Sequence, residues 1–596
     1  MKKQFFLSFL SFLFFCSLGL GCVFADEDTR TSQKIAHISI TGSIQEGVGQ
    51  SGMFADVSPR LHRIVDRIEQ TATDPEIRAV LLSITKTDIG RGRMLEIMAA
   101  IERVQASGKP VVAHFVSGGP VLYTLATSCD SISMPPASSL EITGVRVEVT
   151  FYKAMLDAVG VDAEILQVGE FKGAGEPMTR NSMSPQLRKQ YEEFVGDLYD
   201  QFIEQIAHAR NLDQKAVRKL VDEGVFSPEV AQQVGLVDAI AYEDEAISGL
   251  AAQAGIDQPI ILRDYAAREV DNDFSGLGGM VKLLEMFSGS TEKSSKSSHK
   301  QIAIVYVNGE IQEGQASGGF LTGTTGGSGA IINAIREADS NKNVAAIVLR
   351  INSPGGSALA SDLIWREVER VEKPVVASLS DTAASGGYYV AVAADRIVAA
   401  PGTLTGSIGV VGGKIAIGRA LGKVGVHTDV VSKGRNAGWL SMQTPFSKHE
   451  KEVFLKSMKQ IYKLFTSKVA DGRRLDKERV ATLAEGRIFT GRMAKEAGLV
   501  DSLGTLDDAI EEALKLANLE RGERFDRLLM PKSQGLFDDL FGQRPSNESA
   551  PLATKSLRAI MERFPAAEHV IRWIDSLSLL SSGEPLMMLP AEVSIH

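Results

Sequence analysis

Residues 303–314, with the sequence AIVYVNGEIQEG, repeat residues 36–47, AHISITGSIQEG, at an offset of 267 positions (303 − 36). The repetition continues in three further pairs of segments: AVLL at 79–82 and AIVL at 346–349, KPVVA at 109–113 and 373–377, and GLVD at 235–238 and 498–501. The small drift of this offset indicates two copies of one domain, each far longer than the roughly 20–50-residue units of solenoid repeats. We place the first copy at residues 33–265 and the second copy at residues 301–528.

Each copy alternates short apolar strands with amphipathic helices. Residues 302–307 and 345–351 are mainly apolar runs of strand length, as expected for a sheet that is covered on both faces. Between residues 61 and 68, apolar side chains recur at helical spacing and mark the buried face of a helix. Strands that alternate with helices predict the α/β class with parallel strand pairing, here in two tandem domains.

The composition is that of an ordinary globular protein. Of the 596 residues, 44% are apolar and 23% are charged, which excludes a disordered or collagen-like chain. The chain has 64 basic and 74 acidic residues and a net charge of −10, so we expect no nucleic-acid partner bound through phosphate neutralisation. The three cysteines, Cys16, Cys22 and Cys129, cannot form a disulfide framework or a cysteine-rich zinc site.

Three segments lie outside the two copies. Residues 1–25 carry two lysines directly after Met1, continue with an uncharged run rich in Phe and Leu, and end in Val-Phe-Ala, which is the pattern of an export signal. The uncharged run is also long enough to span a bilayer, and we favour an uncleaved membrane anchor over a cleaved signal peptide. Residues 271–300 form a linker that ends in a Ser- and Lys-rich stretch. Residues 529–596 form a C-terminal tail without a counterpart in the first copy.

The two copies differ where chemistry is expected. Residues 350–357 of the second copy read RINSPGGS, whereas residues 83–88 of the first read SITKTD and lack the glycine pair. A Gly-Gly turn after a strand exposes backbone N–H groups that can hold a developing oxyanion. Ser385 lies among small residues at the start of an apolar helix, and alignment of the copies puts Pro120 opposite it. The second copy therefore has a candidate nucleophile, or otherwise a plain N-cap serine, that the first copy lacks.

A nucleophilic serine needs a base, and three side chains are candidates. His427 lies inside the second copy, but no carboxylate is spaced to orient it. Lys172 lies in a Gly-rich, apolar stretch of the first copy that can desolvate its amine and lower its pKa, and Ala437 stands opposite it in the second copy. Lys433 is the rival within the second copy. Because each copy lacks what the other keeps, we expect one composite site in which Lys172 approaches Ser385 across the interface between the copies.

These motifs resemble those of the serine peptidases of family S49, in the long, tandem form of the bacterial signal peptide peptidases. The matching segments are NSPGG at 352–356, ASGGY at 384–388, TGSIG at 405–409 and FKGA at 171–174. The resemblance covers about residues 33 to 525. It implies two spiral ββα-type domains of the kind shared by ClpP-like and crotonase-like proteins, and a bowl-shaped homotetramer with its active sites facing the inside.

The resemblance also implies the roles of individual residues. These roles are nucleophile for Ser385, general base for Lys172, orientation of the lysine amine for Ser407, and oxyanion-hole donors for Gly386 with Gly355 or Gly356. No metal ion and no cofactor is implied. The stretch Gly173-Ala174-Gly175 after the lysine departs from the family pattern in being unusually rich in glycine, and we expect a looser loop there.

The function implied is that of a membrane-associated endopeptidase that degrades remnant signal peptides and other apolar peptides through an acyl-enzyme. Its place would be the inner membrane with the bulk of the chain in the periplasm, or the soluble periplasm if the signal is cleaved. Two other classes stay open. A crotonase-like acyl-CoA enzyme would share the fold and a glycine-based oxyanion hole, although an export signal argues against a cytoplasmic substrate. A non-catalytic membrane scaffold would use the serine and lysine only structurally.

Overall fold

A computed structural model describes residues 34–48, 59–267, 299–314, 318–319, 323–324, 326–519, 525–531, 585–588 and 594–595. The predicted export segment 1–25 lies outside the described residues, as do most of the predicted linker and most of the C-terminal tail. Within the described ranges, no helix has both the length and the apolar character needed to cross a membrane.

The first copy alternates strands with helices. Its strands are β1 Lys34–Ser43, β2 Ile77–Asp88, β3 Val111–Phe115, β4 Ser131–Met134, β5 Leu140–Glu141, β6 Val147–Glu148, β7 Asp162–Val168, β8 Val225–Phe226, β9 Ala239–Ile240 and β10 Ile260–Leu262. Its helices are α1 Leu61–Thr73, α2 Arg91–Ala106, α3 Pro120–Ala126, α4 Lys153–Val159, α5 Glu176–Thr179, α6 Pro185–Arg210, α7 Gln214–Glu223, α8 Pro228–Gln233 and α9 Glu243–Gln253. A short 3₁₀ turn at Gly173–Gly175 precedes α5.

The main sheet of the first copy has the strand order β10-β1-β2-β3-β4-β9. All neighbouring strands in this sheet are parallel. Ile38 of β1 and Leu82 of β2 are completely buried, because helices cover the sheet and remove the apolar strand residues from water. The predicted α/β class with parallel pairing is confirmed.

The second copy repeats this plan. Its strands, with the two described strands of the tail, are β11 Lys300–Asn308, β12 Ile311–Gln312, β13 Gly318–Gly319, β14 Gly323–Thr324, β15 Gly326–Gly327, β16 Val344–Ser353, β17 Gly355–Ser357, β18 Val375–Ala384, β19 Arg396–Ala399, β20 Leu404–Gly406, β21 Val410–Ala416, β22 Ile488–Phe489, β23 Ser502–Leu503, β24 Phe525–Met530, β25 Leu586–Met588 and β26 Ser594–Ile595. Its helices are α10 Ser328–Ser340, α11 Ala358–Val368, α12 Gly386–Ala391, α13 Gly418–Lys423, α14 Lys448–Arg473, α15 Lys477–Leu483, α16 Gly491–Ala497 and α17 Leu506–Leu516.

The two main sheets share their register. The second has the order β22-β20-β18-β16-β11-β24, and β19 pairs with β18 beside that path. Ile35 lies opposite Ala79 in the first copy, and Ile302 lies opposite Ala346 in the second. Residues related by the sequence offset between the copies therefore occupy equivalent positions in the two sheets. Strand β24 forms the edge that β10 forms in the first copy, and it runs to Met530, past the boundary predicted at residue 528.

A third sheet joins the two copies and the tail. Its strand order is β15-β12-β17-β25-β21-β7, and we call it the site sheet. Strand β7 of the first copy runs antiparallel to β21 of the second, with Val168 opposite Val410 and Asp162 opposite Ala416. This pairing places the segment that follows β7 against the second copy.

A buried cluster of ion pairs connects the two copies. Arg350 of β16 is 1% exposed and forms ion pairs with Glu46 and Glu96 of the first copy. Its guanidinium also donates to the hydroxyls of Ser378 and Ser380 on β18, at 2.9 and 3.1 Å. A buried charge is tolerated when it is paired with opposite charges and forms additional hydrogen bonds, as this guanidinium does. The cluster ties the strand that leads to Ser385 to the first copy.

Candidate active site

Ser385 occupies a strained turn between strand β18 and helix α12. Its backbone φ is 54°, in the left-handed region that residues other than glycine rarely adopt. Its N–H donates to the carbonyl of Gly406 at 2.8 Å, and its own carbonyl accepts from the N–H of Tyr389 at 2.8 Å. These bonds to the neighbouring strand and helix hold the turn, and they fix the hydroxyl in a buried position.

Lys172 follows strand β7 and is held by contacts with both copies. The N–H of Phe171 donates to the carbonyl of Glu485 at 2.7 Å, and the side-chain amide of Gln190 donates to the carbonyl of Phe171 at 3.1 Å. A Cβ atom on Gly486 would lie 2.5 Å from the Lys172 nitrogen, so this approach of the two backbones requires glycine. The position of the lysine thus depends on contacts between the copies.

The side chains of Lys172 and Ser385 are within hydrogen-bond distance of each other. Lys172 Nζ lies 2.7 Å from Ser385 Oγ, although 213 residues separate them in sequence. The same nitrogen donates to the carbonyl and to the hydroxyl of Ser407, each at 2.9 Å. Ser407 is itself held at a φ of 55°, and its N–H donates to the carbonyl of Arg487 at 2.6 Å. The expected approach of Lys172 to Ser385 across the interface is what the structure has.

Burial sets the protonation of the lysine. Lys172 is 1% exposed, and this loss of water lowers the pKa of its amine well below the ordinary value of 10.5. Desolvation acts this way because it destabilises the ammonium form. The hydrogen-bond partners at the amine are oxygens of Ser385 and Ser407, which are uncharged. The amine can therefore be neutral at a pH where a surface lysine is charged, and a neutral amine can accept a proton from a hydroxyl.

Gly355, Gly356 and Gly386 lie together beside Ser385, and we call these three residues the glycine cradle. Gly355 and Gly356 have φ values of 101° and 156°. A Cβ atom on Gly355 would lie 2.7 Å from the nitrogen of Gly386, so these residues pack backbone to backbone. Since the N–H of Gly355 already donates to Ser353 Oγ at 3.1 Å, Gly386 and Gly356 are the better candidates for donors to a ligand.

The other candidate bases lie elsewhere. His427 and Lys433 are both exposed, in the segment between helix α13 and helix α14. Ala437, the counterpart of Lys172, is exposed in the same segment. No contact joins either candidate to Ser385 among the described residues. The structure thus brings Lys172, Ser385, Ser407 and the three glycines together and leaves the two rivals outside.

The expectation of a looser loop after Lys172 is wrong. Residues 173–175 form a 3₁₀ turn in which Gly173 and Gly175 are buried. A Cβ atom on Gly173 would lie 2.6 Å from Leu187, and one on Gly175 would lie 2.5 Å from Ile165. These glycines permit close packing of the turn against α6 and β7, and the lysine is held more firmly as a result.

Several contributors to the site were not found from the sequence. Gln190 lies on α6, which begins where Ser184 caps the helix by accepting from the N–H of Leu187. The Gln190 side chain accepts from the N–H of Ile488 at 3.2 Å and so bridges the lysine segment to the second copy. A glutamine on a helix carries no signal for such a role. Strand β25 of the tail, which enters the site sheet, was also missed because nothing in the repeat marks it.

Comparison with known proteins identifies the family. The model of Peptidase family S49 matches residues 103–257 and 367–520, once in each copy. Protease 4 of Salmonella typhi is 30% identical over 86% of this chain and 84% of its own length. The chloroplastic serine protease SPPA of Arabidopsis thaliana is 29% identical over 89% of this chain and 76% of its own length. The chain belongs to peptidase family S49. It is a serine peptidase with two tandem S49 domains.

One solved structure is also similar in part. A ClpP1 mutant from Listeria monocytogenes aligns with 35% of this chain and 94% of its own length, at 16% identity and a TM-score of 0.24. At this score, the similarity has no weight for the fold, which rests on the sheets described above.

Proposed function

We propose that this peptidase cleaves peptide bonds with a catalytic dyad of Ser385 and Lys172, and that its substrates are remnant signal peptides and other apolar peptides at a membrane. The observation that carries the dyad is the distance of 2.7 Å between Lys172 Nζ and Ser385 Oγ in a buried site. This distance is within the reach that a general base needs.

The proton moves from the serine to the lysine and then to the leaving group. The neutral amine of Lys172 accepts the Ser385 proton as the hydroxyl oxygen attacks the peptide carbonyl carbon. The resulting ammonium is stabilised by the oxygens of Ser407, and it gives its proton to the nitrogen of the departing amine. Water then attacks the acyl-enzyme, with the same amine as base, and restores Ser385.

The oxyanion is stabilised by backbone N–H groups. Gly386 directly follows the nucleophile, and Gly356 lies in the strand that packs beside it. N–H donors fixed by folding need no reorganisation when charge develops on the substrate oxygen, and the loss of one such donor costs about 10²- to 10³-fold in kcat. Gly355 supports the cradle because its backbone packs directly against Gly386.

Apolar side chains around the site support an apolar substrate. Leu156 and Met178 of the first copy form a buried cluster with Val411 and Ile415 of β21 and with Leu586 of the tail. The burial of Leu586 shows that this cluster accepts an apolar side chain, and such burial is worth roughly 25 cal/mol per Å² of apolar surface. The inner-membrane or periplasmic location rests on the sequence of residues 1–25, and the homotetramer rests on the resemblance to the family.

Hydrolysis of an apolar fluorogenic peptide tests the proposal. Ser385→Ala is expected to lower kcat by at least about 10³-fold, because it removes the nucleophile, and to leave the thermal unfolding midpoint nearly unchanged. A fluorophosphonate probe should label the wild type and not this variant. Labelling at another serine, or substantial turnover by Ser385→Ala, would contradict the dyad. Absence of both labelling and turnover in the wild type would favour a scaffold or an acyl-CoA enzyme.

A further inference from the structure

A polar network joins helix α12 to two other helices of the second copy. The Tyr389 hydroxyl on α12 donates to Asp362 Oδ1 of α11 at 2.5 Å. The ammonium of Lys468 on α14 donates to the same oxygen. Lys468 Nζ also lies over two aromatic rings, 3.4 Å from the centre of Trp365 and 5.0 Å from the centre of Tyr389. We call these four residues the Tyr389 network.

The centre of the Tyr389 network is shielded from water. Tyr389 is completely buried, and 11% of the Lys468 side chain and 34% of that of Asp362 are exposed. Burial and the hydrogen bond to Asp362 raise the pKa of the Tyr389 phenol well above its ordinary value of 10.0, so the phenol keeps its proton and is the donor. In such surroundings, a charged hydrogen bond and a cation over an aromatic ring are stronger than in water.

The first copy does not have the Tyr389 network. The equivalent positions follow the offsets of matching residues nearby, which are 264 at KPVVA (373 − 109), 265 at the two tyrosines before the network (388 − 123) and 263 at the two arginines that pair with aspartate (473 − 210). At these positions the first copy has uncharged side chains, which are Met98, Ile101, Thr124 and Gln205 in place of Asp362, Trp365, Tyr389 and Lys468.

The stability of the fold does not account for this difference. Replacing a buried ion pair by well-packed apolar residues is often neutral or stabilising. The first copy forms the equivalent helices α2 and α3 with Met98 and Ile101 buried between them and the sheet, at 6% and 0% exposure. The network occurs in the copy that carries Ser385, so its presence follows the nucleophile and not the fold.

Tyr389 links the network to the nucleophile. Its backbone N–H donates to the carbonyl of Ser385 at 2.8 Å, which is the first hydrogen bond of α12. Because Ser385 has a φ of 54°, surrounding contacts must hold its turn in place. Helix α12 has six residues, and the first two, Gly386 and Gly387, are glycines that restrict the backbone least. An anchored side chain one helical turn after Ser385 therefore restrains this turn.

We propose that Asp362 and Lys468 are positioning residues for the nucleophile, and that they act through Tyr389, whose side chain they fix and whose N–H holds the turn at Ser385. This inference rests on the function proposed above, in which Ser385 is the nucleophile. The network adjusts the geometry of attack and moves no proton. Its loss should therefore lower kcat and leave the binding of the substrate unchanged.

Single variants of the network test this role by peptide hydrolysis. Tyr389→Phe and Asp362→Ala each remove the hydrogen bond between these two residues, and each should lower kcat by about tenfold with KM nearly unchanged. Their double variant should be no slower than Asp362→Ala, because both changes break one link. Lys468→Met leaves that hydrogen bond in place and should have a smaller effect. Lys468→Arg keeps a cation over Trp365 and should retain nearly the activity of the wild type.

The rate of covalent labelling separates positioning from a merely structural role. A small fluorophosphonate reports the reactivity of Ser385 without the binding of a peptide, and its rate constant should fall together with kcat in the same variants. Arg336→Met is the matched control, since it removes an ion pair with Glu367 of the same helix α11 outside the network. It should keep the rates of the wild type. All rates are measured well below the thermal unfolding midpoint of each variant.

The outcomes distinguish this inference from the proposed function. Folded Tyr389→Phe and Asp362→Ala variants that react at the wild-type rate would overturn the inference and leave the proposed function standing. A rise in KM with unchanged kcat, or an equal loss of labelling in Arg336→Met, would do the same. If the probe labels a serine other than Ser385 in the wild type, the proposed function fails and this inference fails with it. Tyr389→Phe keeps the ring packed against Phe465, so it decides the matter if Asp362→Ala does not fold.

Discussion

The two copies keep the same supporting contacts and differ at the reacting groups. The Tyr123 hydroxyl donates to the carbonyl of Leu236 at 2.7 Å, and in the second copy the Tyr388 hydroxyl donates to the carbonyl of Leu499 at 2.7 Å. Asp130 accepts from the N–H of Val111 at 2.7 Å. Its counterpart Asp395 accepts from the N–H of Val375 at 2.8 Å. These pairs recur because each holds a strand or helix end in place.

The reacting positions follow a different pattern. Pro120 is the first residue of α3, whereas its counterpart Ser385 directly precedes α12, and Ala437 is exposed where Lys172 is buried. A domain that needs both groups in one copy would have to bury a lysine within its own fold. The tandem arrangement instead brings the lysine in on β7 and buries it between the copies. Under the proposed dyad neither copy acts alone, which makes the comparison of the copies testable.

The largest expected effect is the loss of the lysine. Lys172→Ala should lower kcat by at least about 10³-fold, like Ser385→Ala, and the double variant should be no slower than either single variant, because residues that act as one unit are not additive. Lys433→Ala is the matched control, since Lys433 is exposed in the second copy, and it should keep nearly all activity. Steady-state hydrolysis of one peptide by the four variants decides the matter. An active Lys172→Ala with an inactive Lys433→Ala would reverse the assignment of the base.

The protonation of Lys172 gives the second prediction. Its pKa is lowered by burial, so kcat/KM should rise with pH through that pKa and reach a plateau well below pH 10.5. The same shift affects stability. Between the lowered pKa and 10.5, the unfolded chain binds a proton that the folded chain does not, so this group makes the free energy of unfolding rise with pH. The pH profile of kcat/KM and urea unfolding at several pH values measure both effects.

Replacing the amine removes the stability effect. Lys172→Met should lack this part of the pH dependence of unfolding, because no group titrates at that position. A wild-type activity profile that rises only near pH 10.5, together with an unchanged unfolding slope in Lys172→Met, would mean that the lysine keeps its ordinary pKa. The amine would then be solvated, in conflict with its burial.

Most of the fold and the main site residues could be predicted, because the duplication exposes them. Strands such as 302–307 are apolar along their whole length, and the reciprocal pattern of Ser385 and Lys172 appears as soon as the copies are aligned. The packed turn at Gly173–Gly175 could not be predicted, since glycine is equally compatible with a loose loop and a close contact. The place of strand β25 in the site sheet depends on where a distant segment returns, and local sequence does not encode that.

Ser407 gives a smaller effect that tests how the lysine is positioned. Ser407→Ala removes one oxygen at 2.9 Å from Lys172 Nζ and leaves the backbone carbonyl at 2.9 Å in place. The loss of a hydrogen bond to a charged group costs about 1.5–3 kcal/mol, so kcat should fall by roughly 10- to 150-fold with little change in KM. The pKa on the rising limb of kcat/KM should fall further, because the ammonium loses an acceptor. An unchanged pH profile would indicate that Ser407 is only structural.

The smallest effect compares the two copies directly. Tyr123→Phe and Tyr388→Phe each leave one buried carbonyl without its donor, which costs about 1–3 kcal/mol of the free energy of unfolding. Both hydroxyls are completely buried and make bonds of 2.7 Å, so the two losses should be similar. Tyr388 lies on α12, which begins directly after Ser385, whereas Tyr123 lies on the equivalent helix of the copy that has no serine. Only Tyr388→Phe should therefore also lower kcat, by a few-fold. Urea unfolding and peptide hydrolysis measure the two quantities, and an equal loss of kcat in Tyr123→Phe would show that the helix in the first copy supports the reacting groups as closely as its counterpart does.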